Sequence, residues 1–254
     1  MNSSEKMINI VVPMAGAGKK FQEAGYAFPK PLIEISGQTM IEIVVNNLRP
    51  ETNHKFIFIC QKEHYDKYDL HNIFKNATNN KFEVILINGI TQGAACTVLC
   101  ATQHIDNDDE IIIANSDQFI QFDINDFIKS SRENNKDGLI MTFKASHPKW
   151  SYARVNSDGK VLEVAEKKVI SNKATVGIYY FKKGSNFVKS AQSMIKKNIH
   201  HNNEFYVCPV YNETILQGGD VYISDIKQEE MHGLGTPEDL DQFLLKIKDG
   251  SVKL

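Results

Sequence analysis

The stretch Ile8-Asn-Ile-Val-Val-Pro-Met-Ala-Gly-Ala-Gly-Lys-Lys20 decides how the rest of the chain is read. Its first half, Ile8 to Val12, is a largely β-branched run of the kind that forms a buried strand. Its second half is a loop. Gly16 and Gly18 let backbone N–H groups turn toward an anion with no Cβ in the way, and Lys19 and Lys20 add positive charge. A Walker loop needs glycine five residues before its Gly-Lys and Ser or Thr after it, but those places hold Pro13 and Lys20. The dinucleotide fingerprint fails too, because its third glycine falls on Phe21. A strand feeding a glycine-lysine loop is by itself equally compatible with a tight turn carrying solvated lysines.

Downstream the chain alternates strand-like and helix-like pieces. Phe28-Pro-Lys-Pro-Leu-Ile-Glu-Ile35 reads as extended, since prolines at 29 and 31 disfavour helix in the residues before them. Thr39 to Leu48 reads as a helix capped by Thr39 with Glu42 three residues on, stopping near Pro50. Phe56 to Cys60, Phe82 to Ile87 and Glu110 to Ala114 read as strands, with helical stretches around Glu63 to Lys75 and from Gly93 to His104. This order predicts an α/β fold with a mostly parallel sheet covered by helices on both faces, whose ligands lie beyond the carboxyl ends of the strands. Past residue 137 the texture changes to short strands, Gly138 to Lys144, Tyr152 to Asn156, Val161 to Ala165 and Ala174 to Phe181. Asn156-Ser-Asp-Gly159 marks a hairpin. A helix from Ser185 to Lys197, a strand from Val221 to Ser224 and a helix from Pro237 to Lys248 complete the reading. No low-complexity linker divides the chain, so residues 1–254 are expected to form a single domain, in which the change of texture sets 1–136 apart from 137–254.

Composition sets outer bounds. The 254 residues are 42% hydrophobic and 24% charged, an ordinary soluble enzyme-sized chain. A net charge of -2 does not call for nucleic acid. Of 29 basic residues only Arg49, Arg132 and Arg154 are arginines, and lysine does not reproduce the planar guanidinium fork. Cys60, Cys96, Cys100 and Cys208 form no metal-ligand pattern and are expected to be buried thiols. Met1 to Lys6 is short and polar, which predicts no secretory signal. No apolar run approaches the roughly 20 residues of a membrane span, and a cytoplasmic location is the expectation.

Pro29-Lys30-Pro31-Leu32 turns the weak loop signal into a specific one, because two prolines fix the backbone around a lysine that must hold its charge at one point. Together with Ala15-Gly16-Ala17-Gly18-Lys19-Lys20 it resembles the nucleotidyltransferases that activate sugar phosphates and related small phosphates. Their pattern is Ala-Gly-x-Gly-Thr-Arg, a spacer, Pro-Lys-Pro-Leu and a glycine turn into a helix. The likeness continues in Gln92-Gly93-Ala94-Ala95, in Asn115-Ser116-Asp117 at a strand end and in Glu166-Lys167. It runs on through Gly177-Ile-Tyr-Tyr-Phe181 and Glu204-Phe205-Tyr206 to Gly235-Thr236-Pro237-Glu238-Asp239-Leu240. Lys19 and Lys20 replace the family's threonine and arginine. Gly233 stands where the family usually has an aspartate that serves as a second metal ligand, with Asp225, Glu229 and Glu230 the candidate substitutes.

The resemblance implies a Rossmann-like (GT-A-like) α/β/α sandwich with a mostly parallel central sheet and a smaller antiparallel acceptor-side element. It implies attack by an acceptor phosphate on the α-phosphorus of a nucleoside triphosphate with loss of pyrophosphate. Ala15, Gly16, Ala17, Gly18, Lys19, Asn88, Gln92 and Gly93 are then expected at the nucleotide, with Gly93 leaving room for the base. Lys20, Lys30 and Asp117 are the expected catalytic residues, with Asp117 on Mg²⁺. Glu166, Lys167, Gly177 and Glu204 are expected at the acceptor. The Glu-Lys pair and the Gly-Leu-Gly-Thr ending most resemble the cytidylyltransferase branch. That favours CTP and a small phospho-compound, phosphoglutamine favoured, for capsule or surface polysaccharide modification. A sugar-1-phosphate uridylyl- or thymidylyltransferase is the alternative. Outside the class, a nucleotide-sugar glycosyltransferase needs a D-x-D-like pair that Asn115-Ser-Asp117 lacks, and an inactive nucleotide-binding subunit is the non-enzyme alternative.

Overall fold

In the computed structural model, which describes residues 6–254, Ile8–Pro13 is strand β1, buried from end to end but for Pro13. Residues 1–5 of the polar N-terminal stretch lie outside the described residues. Ile8, Ile10 and Val12 face one hydrophobic core and Val11 the other, the period of two expected of a strand covered on both faces. The elements follow in order: α1 (Lys19–Glu23), β2 (Glu34–Ile35), β3 (Gln38–Thr39), α2 (Met40–Leu48), β4 (His54–Gln61), α3 (Lys62–Lys67), α4 (Leu70–Ala77), β5 (Phe82–Ile87), α5 (Ala94–Leu99), α6 (Thr102–Ile105), β6 (Glu110–Ala114), β7 (Gln118–Ile120) and α7 (Ile124–Arg132). The second half holds β8 (Gly138–Lys144), β9 (Tyr152–Val155), β10 (Val161–Ala165), β11 (Lys173–Phe181), α8 (Gly184–Lys196), α9 (Val210–Leu216), β12 (Val221–Asp225), β13 (Met231–Gly233) and α10 (Pro237–Lys248).

Nine strands form one sheet. β6, β1, β4 and β5 are parallel neighbours. β11 joins β6 antiparallel, β8 pairs antiparallel with β11, and β12 lies parallel to β8. Only β11 and β10 run against the common direction, so the predicted mostly parallel sheet is present. From β1 the chain proceeds outward through β4 and β5, then returns to lay β6 on β1's other side. The carboxyl ends of β1 and β6 therefore flank a topological switch point, where loops diverge and leave a crevice.

Two large cores sandwich the sheet. On one face Phe58 stacks on Phe74 of α4 with ring centroids 4.0 Å apart; on the other Phe181 stacks on Tyr211 of α9 at 4.4 Å. A third, smaller core joins the glycine-lysine loop to the end of the chain. Phe21 of α1, Ile33 and Ile35 beyond Lys30, Phe119 of β7, Leu234, and Leu240 and Phe243 of α10 pack together. Burying a ring such as Phe21 contributes about 2–3 kcal/mol, and here it ties the glycine-lysine loop to the C-terminal helix.

Several sequence expectations are corrected. Pro29-Lys30-Pro31-Leu32 is not extended throughout: Lys30–Leu32 is a 3₁₀ turn, with the Leu32 N–H donating to the Pro29 carbonyl at 2.8 Å. Proline is at home in the first turn of a helix, so Pro31 fits at the second position of the turn, and the extended backbone stops at Pro29, with φ -54° and ψ 145°. The helix expected over Gly93 to His104 breaks between Leu99 and Thr102. That over Glu63 to Lys75 breaks at Asp69, whose φ is 51°. Of the four cysteines Cys60 and Cys208 are buried, but Cys96 is half-buried and Cys100 exposed. Burial pushes the Cys60 thiol up to about 12.

Candidate active site

The crevice takes shape where β6 ends. Beyond Ala114 the chain runs Asn115-Ser116-Asp117, and it turns here because β11 makes way. The Asn115 N–H donates to the carbonyl of Gly177 at 3.0 Å, and the β11–β8 register slips between Thr175 and Tyr179. Gly177 has φ 95°, and a Cβ there would lie 2.2 Å from Asn115 Nδ2 and 2.7 Å from Gln118 Oε1. Only glycine gives both the backbone conformation and the space. Gly177 thus acts by admitting the Asn115 and Gln118 side chains.

Asp117 is clasped from the other side. Its carbonyl accepts from the Leu234 N–H at 2.8 Å, and a Cβ on Gly235 would come within 2.8 Å of its Oδ2. Asp117 Oδ2 accepts a hydrogen bond from Lys30 Nζ at 2.8 Å, with both side chains about three-quarters buried. The position of Lys30 comes from its 3₁₀ turn and from Gly18, whose absent side chain points at Lys30 Cβ 3.5 Å away. Gly18 itself has φ 62°, so the loop glycine serves both a turn and a close approach.

The facing wall comes from the second half of the chain. Glu166 accepts a hydrogen bond from Ser151 Oγ, and its burial holds the carboxyl above the usual range against the opposing pull of Ser151 and Lys167. Lys167 has φ 49° and donates from Nζ to Tyr206 Oη at 2.7 Å, with the ammonium also 4.7 Å from the ring centre. Burial and a hydrogen bond with Glu204 raise the Tyr206 hydroxyl, so it stays a neutral phenol.

Lys20, Lys30, Asp117, Glu166, Lys167 and Gly177 all line one cleft of about 490 Å³. Among the other predicted residues, Ala15 is buried with its carbonyl accepting from Gln61 Nε2 at 2.8 Å. Gly16 and Ala17 belong to the loop between β1 and α1 and Lys19 opens α1, none of them lining the cleft, and Asn88 and Gln92 are exposed outside its wall. Two expectations need correction. A Cβ on Gly93 would lie 2.6 Å from the backbone N and O of Phe205, so this glycine is required by a neighbouring chain segment, whatever lies over it. Glu204 is exposed and does not line the cleft, touching its wall through a hydrogen bond with Tyr206 and through its charge on Glu166. The candidate substitutes for the aspartate missing at 233 also lie elsewhere. Asp225 is engaged by Thr142 and Lys173, Glu230 accepts from the Lys227 N–H, and Glu229 does not line the cleft.

The lining residues that escaped the sequence reading include Lys149, Trp150, Ser151, Tyr206 and Asp239. Tyr206 and Asp239 lie inside quoted motifs, where only their neighbours were given roles. Lys149-Trp150 had a signal in being the chain's only tryptophan next to a lysine, but nothing in the turn between β8 and β9 announced that it faces the crevice. None of the three arginines lines the cleft. Arg132 makes a forked pair with buried Glu110, at 2.6 and 3.0 Å to Oε2, Arg49 donates to Asn46 Oδ1 and the Ala77 carbonyl, and Arg154 pairs with Glu163 at 3.0 Å. Every strong cation of the cleft is a lysine.

A site with four lysines, Lys20, Lys30, Lys149 and Lys167, and one strand-end aspartate, at a sheet switch point, can bring two phosphate groups together. The described residues give it one hydrogen-bonded hydroxyl–carboxylate pair, Ser151 with Glu166, and no histidine lines it. Among the described residues no group of three or more His, Cys, Asp or Glu side chains is placed to hold a metal, and no helix is long and apolar enough to cross a membrane.

Comparison with known proteins bears on this geometry. The profile of a family described as nucleotidyl transferase matches residues 10–240. The bifunctional protein GlmU of Methanocaldococcus jannaschii is 23% identical over 178 residues, 69% of this chain and 40% of that protein, so the chain spans well under half the length of this curated relative. A nucleoside-diphosphate-sugar pyrophosphorylase from Vibrio cholerae RC9 superposes with a TM-score of 0.80 at 26% identity, covering 93% of this chain and 99% of that one. The inositol-1-phosphate CTP transferase from T. maritima superposes at 0.75 with 16% identity, covering 96% and 98%, a likeness of fold.

Proposed function

The chain belongs to the nucleotidyl transferase family, and on that premise we propose that it moves a nucleoside monophosphate from a nucleoside triphosphate onto a small phosphorylated acceptor, releasing pyrophosphate. CTP is the favoured donor and phosphoglutamine the favoured acceptor, for modification of a capsule or surface polysaccharide. Residues 1–136 serve the nucleotide and 137–254 the acceptor within one domain.

The observation that carries the reading is the Lys30–Asp117 contact of 2.8 Å at the cleft. Mutual repulsion of two polyanions is the main obstacle to the reaction, and fixed charges aimed at the reacting phosphorus lower it without reorganising at the moment of transfer. No general base is required, because the acceptor phosphate is already ionised. Lys20 steadies the leaving pyrophosphate with the Gly16–Gly18 loop, Lys30 neutralises charge at the α-phosphate, and Lys167 holds the acceptor phosphate. Ser151 and Glu166 brace the turn that presents Lys167.

The donor set fits Mg²⁺. The Asp117 carboxylate is a hard oxygen ligand lodged in a cradle that a Gly235 side chain would fill, and Mg²⁺ is commonly held by one or two carboxylates with substrate phosphates supplying the rest. When bound, the ion acts as a Lewis acid and template for the triphosphate.

Glu166-Lys167 and the ending Gly233-Leu-Gly-Thr236 support the cytidylyl choice by their resemblance to that branch, and the inositol-1-phosphate CTP transferase carries CTP chemistry on the same fold. A second reading, a sugar 1-phosphate with UTP or dTTP, is favoured by the 26% identity to the Vibrio protein named as a nucleoside-diphosphate-sugar pyrophosphorylase. Pyrophosphate release, measured with Mg²⁺ across four nucleoside triphosphates and a panel containing phosphoglutamine and glucose 1-phosphate, separates the two. Release greatest with CTP and phosphoglutamine is expected. Release greatest with UTP or dTTP and the sugar phosphate would move the assignment to the second reading, and none at all would refute both.

A further inference from the structure

Glycine at 233 has no backbone or packing reason to be glycine, and this sets it apart from the glycines around it. Gly177 combines a φ of 95° with the Asn115 side chain 2.2 Å from where a Cβ would stand, and a Cβ on Gly235 would push the Asp117 carboxylate, 2.8 Å away, out of its place. Gly233 lies at the end of β13 and outside the left-handed region, and a Cβ there would meet the Asp239 carboxyl at 3.7 Å and the Trp150 ring at 4.0 Å, ordinary van der Waals contact. A side chain is permitted, and its absence leaves a gap between Asp239 and Trp150.

That gap lies in a wall with a cavity on each side. Gly233, Asp239, Trp150 and Lys149 line both the catalytic cleft and a second cavity of about 690 Å³. The second chamber is bordered by Lys144 and Lys246. The Asp239 charge is offset by Lys149 Nζ 3.6 Å away. Lys246 Nζ lies 3.3 Å from Nδ1 of His232, whose imidazole burial keeps neutral, so that contact leaves the ammonium charge uncompensated. The chamber thus presents an aromatic wall and two cations.

We propose that the acceptor spans both chambers, passing over Gly233 between Trp150 and Asp239, with its phosphate at Lys167 and an anionic far end at Lys144 and Lys246. The acceptor class is a phosphorylated compound bearing a carboxylate on an extended arm, which a compact hexose phosphate does not supply. This rests on the acceptor-phosphate reading of Lys167 given above.

Trp150 is the only tryptophan of the chain, so its emission reports on the passage in the native protein. The probes are ω-phosphonoalkanoates of two to six carbons, compared with alkylphosphonates of matching length. The longer phosphonoalkanoates are expected to shift Trp150 emission and to bind about tenfold more tightly than their alkyl counterparts, the gain from one charge-assisted contact. Gly233→Leu, which closes the gap, and Lys246→Gln, which removes a cation, should each abolish that advantage. Equal affinity of the two series, or emission that does not respond to the longer acids, would overturn the proposal. Lys167→Ala separates this from failure of the underlying reading. If it weakens both series while they remain equal, the phosphate site stands and the second chamber does not; if it weakens neither, the phosphate site itself is misplaced.

Discussion

Lys30 and Asp117 meet at 2.8 Å in a cleft with no arginine, so a lysine ammonium must do as a point charge what a guanidinium fork does by shape. The proline-flanked 3₁₀ turn answers that need, because a point charge is useful in proportion to how well its position is fixed. Replacing Lys30 with alanine is expected to lower kcat by roughly 10² or more, in line with loss of one preorganised charge donor, and Asp117→Asn to raise the Mg²⁺ concentration needed for half-maximal rate. A Lys30→Ala enzyme with near-native turnover would remove the assignment. His232 makes a different kind of prediction. Burial, and then the nearby Lys246, lower its pKa from 6.5 to about 4. The folded chain keeps the ring neutral while the unfolded chain takes up the proton near pH 6.5, so stability from this group is complete above that pH and is lost as pH falls toward 4. Urea midpoints measured between pH 7 and 4.5 should fall, and His232→Asn should flatten the decline; an unchanged slope would show that the ring does not contribute.

At the scale of the element, legibility followed how local the cause was. The Thr39–Glu42 capping box was readable because both partners lie within one turn, and the structure has it, with Glu42 Oε2 accepting from the Thr39 N–H at 2.8 Å. The strands β1, β4 and β6 were readable from buried β-branched runs, and the candidate catalytic residues from motifs that bracket them. What could not be read were contacts set by distant segments. The need for glycine at 93 arises from Phe205, and the bulge in β11 that lodges Asn115 depends on Gly177, 62 positions away in sequence. Asp239 reaches the cleft because the third core draws α10 onto the N-terminal loop, and Trp150 because its ring packs edge-on against Phe143 of β8, with centroids 5.2 Å apart. The glycines provide the test. Gly177→Ala, strained at φ 95° and crowding the ends of the Asn115 and Gln118 side chains, should destabilise by roughly 1–3 kcal/mol and displace those two side chains. Gly233→Ala should change the melting temperature little. Equal shifts in the two variants would contradict the packing argument.

Across the whole molecule the charge balance of -2 hides an uneven division of labour. Arg132 anchors a buried carboxylate at the end of α7, Arg49 and Arg154 brace loops and an exposed hairpin, and the cations that line the cleft are all lysines. The nine-stranded sheet supplies the rigid part of the site through the carboxyl ends of β1 and β6, and the second half of the chain brings Lys167 across from β10. This arrangement predicts transfer of the α-phosphoryl group with its nucleoside. The most direct measurement uses CTP labelled at the α-phosphorus, with Mg²⁺ and phosphorylated acceptors. The label should appear in an acceptor-linked product, matched one for one by unlabelled pyrophosphate. Recovery of the label as nucleoside diphosphate, which marks γ-phosphoryl transfer, or the absence of any labelled product with all four triphosphates, would contradict it.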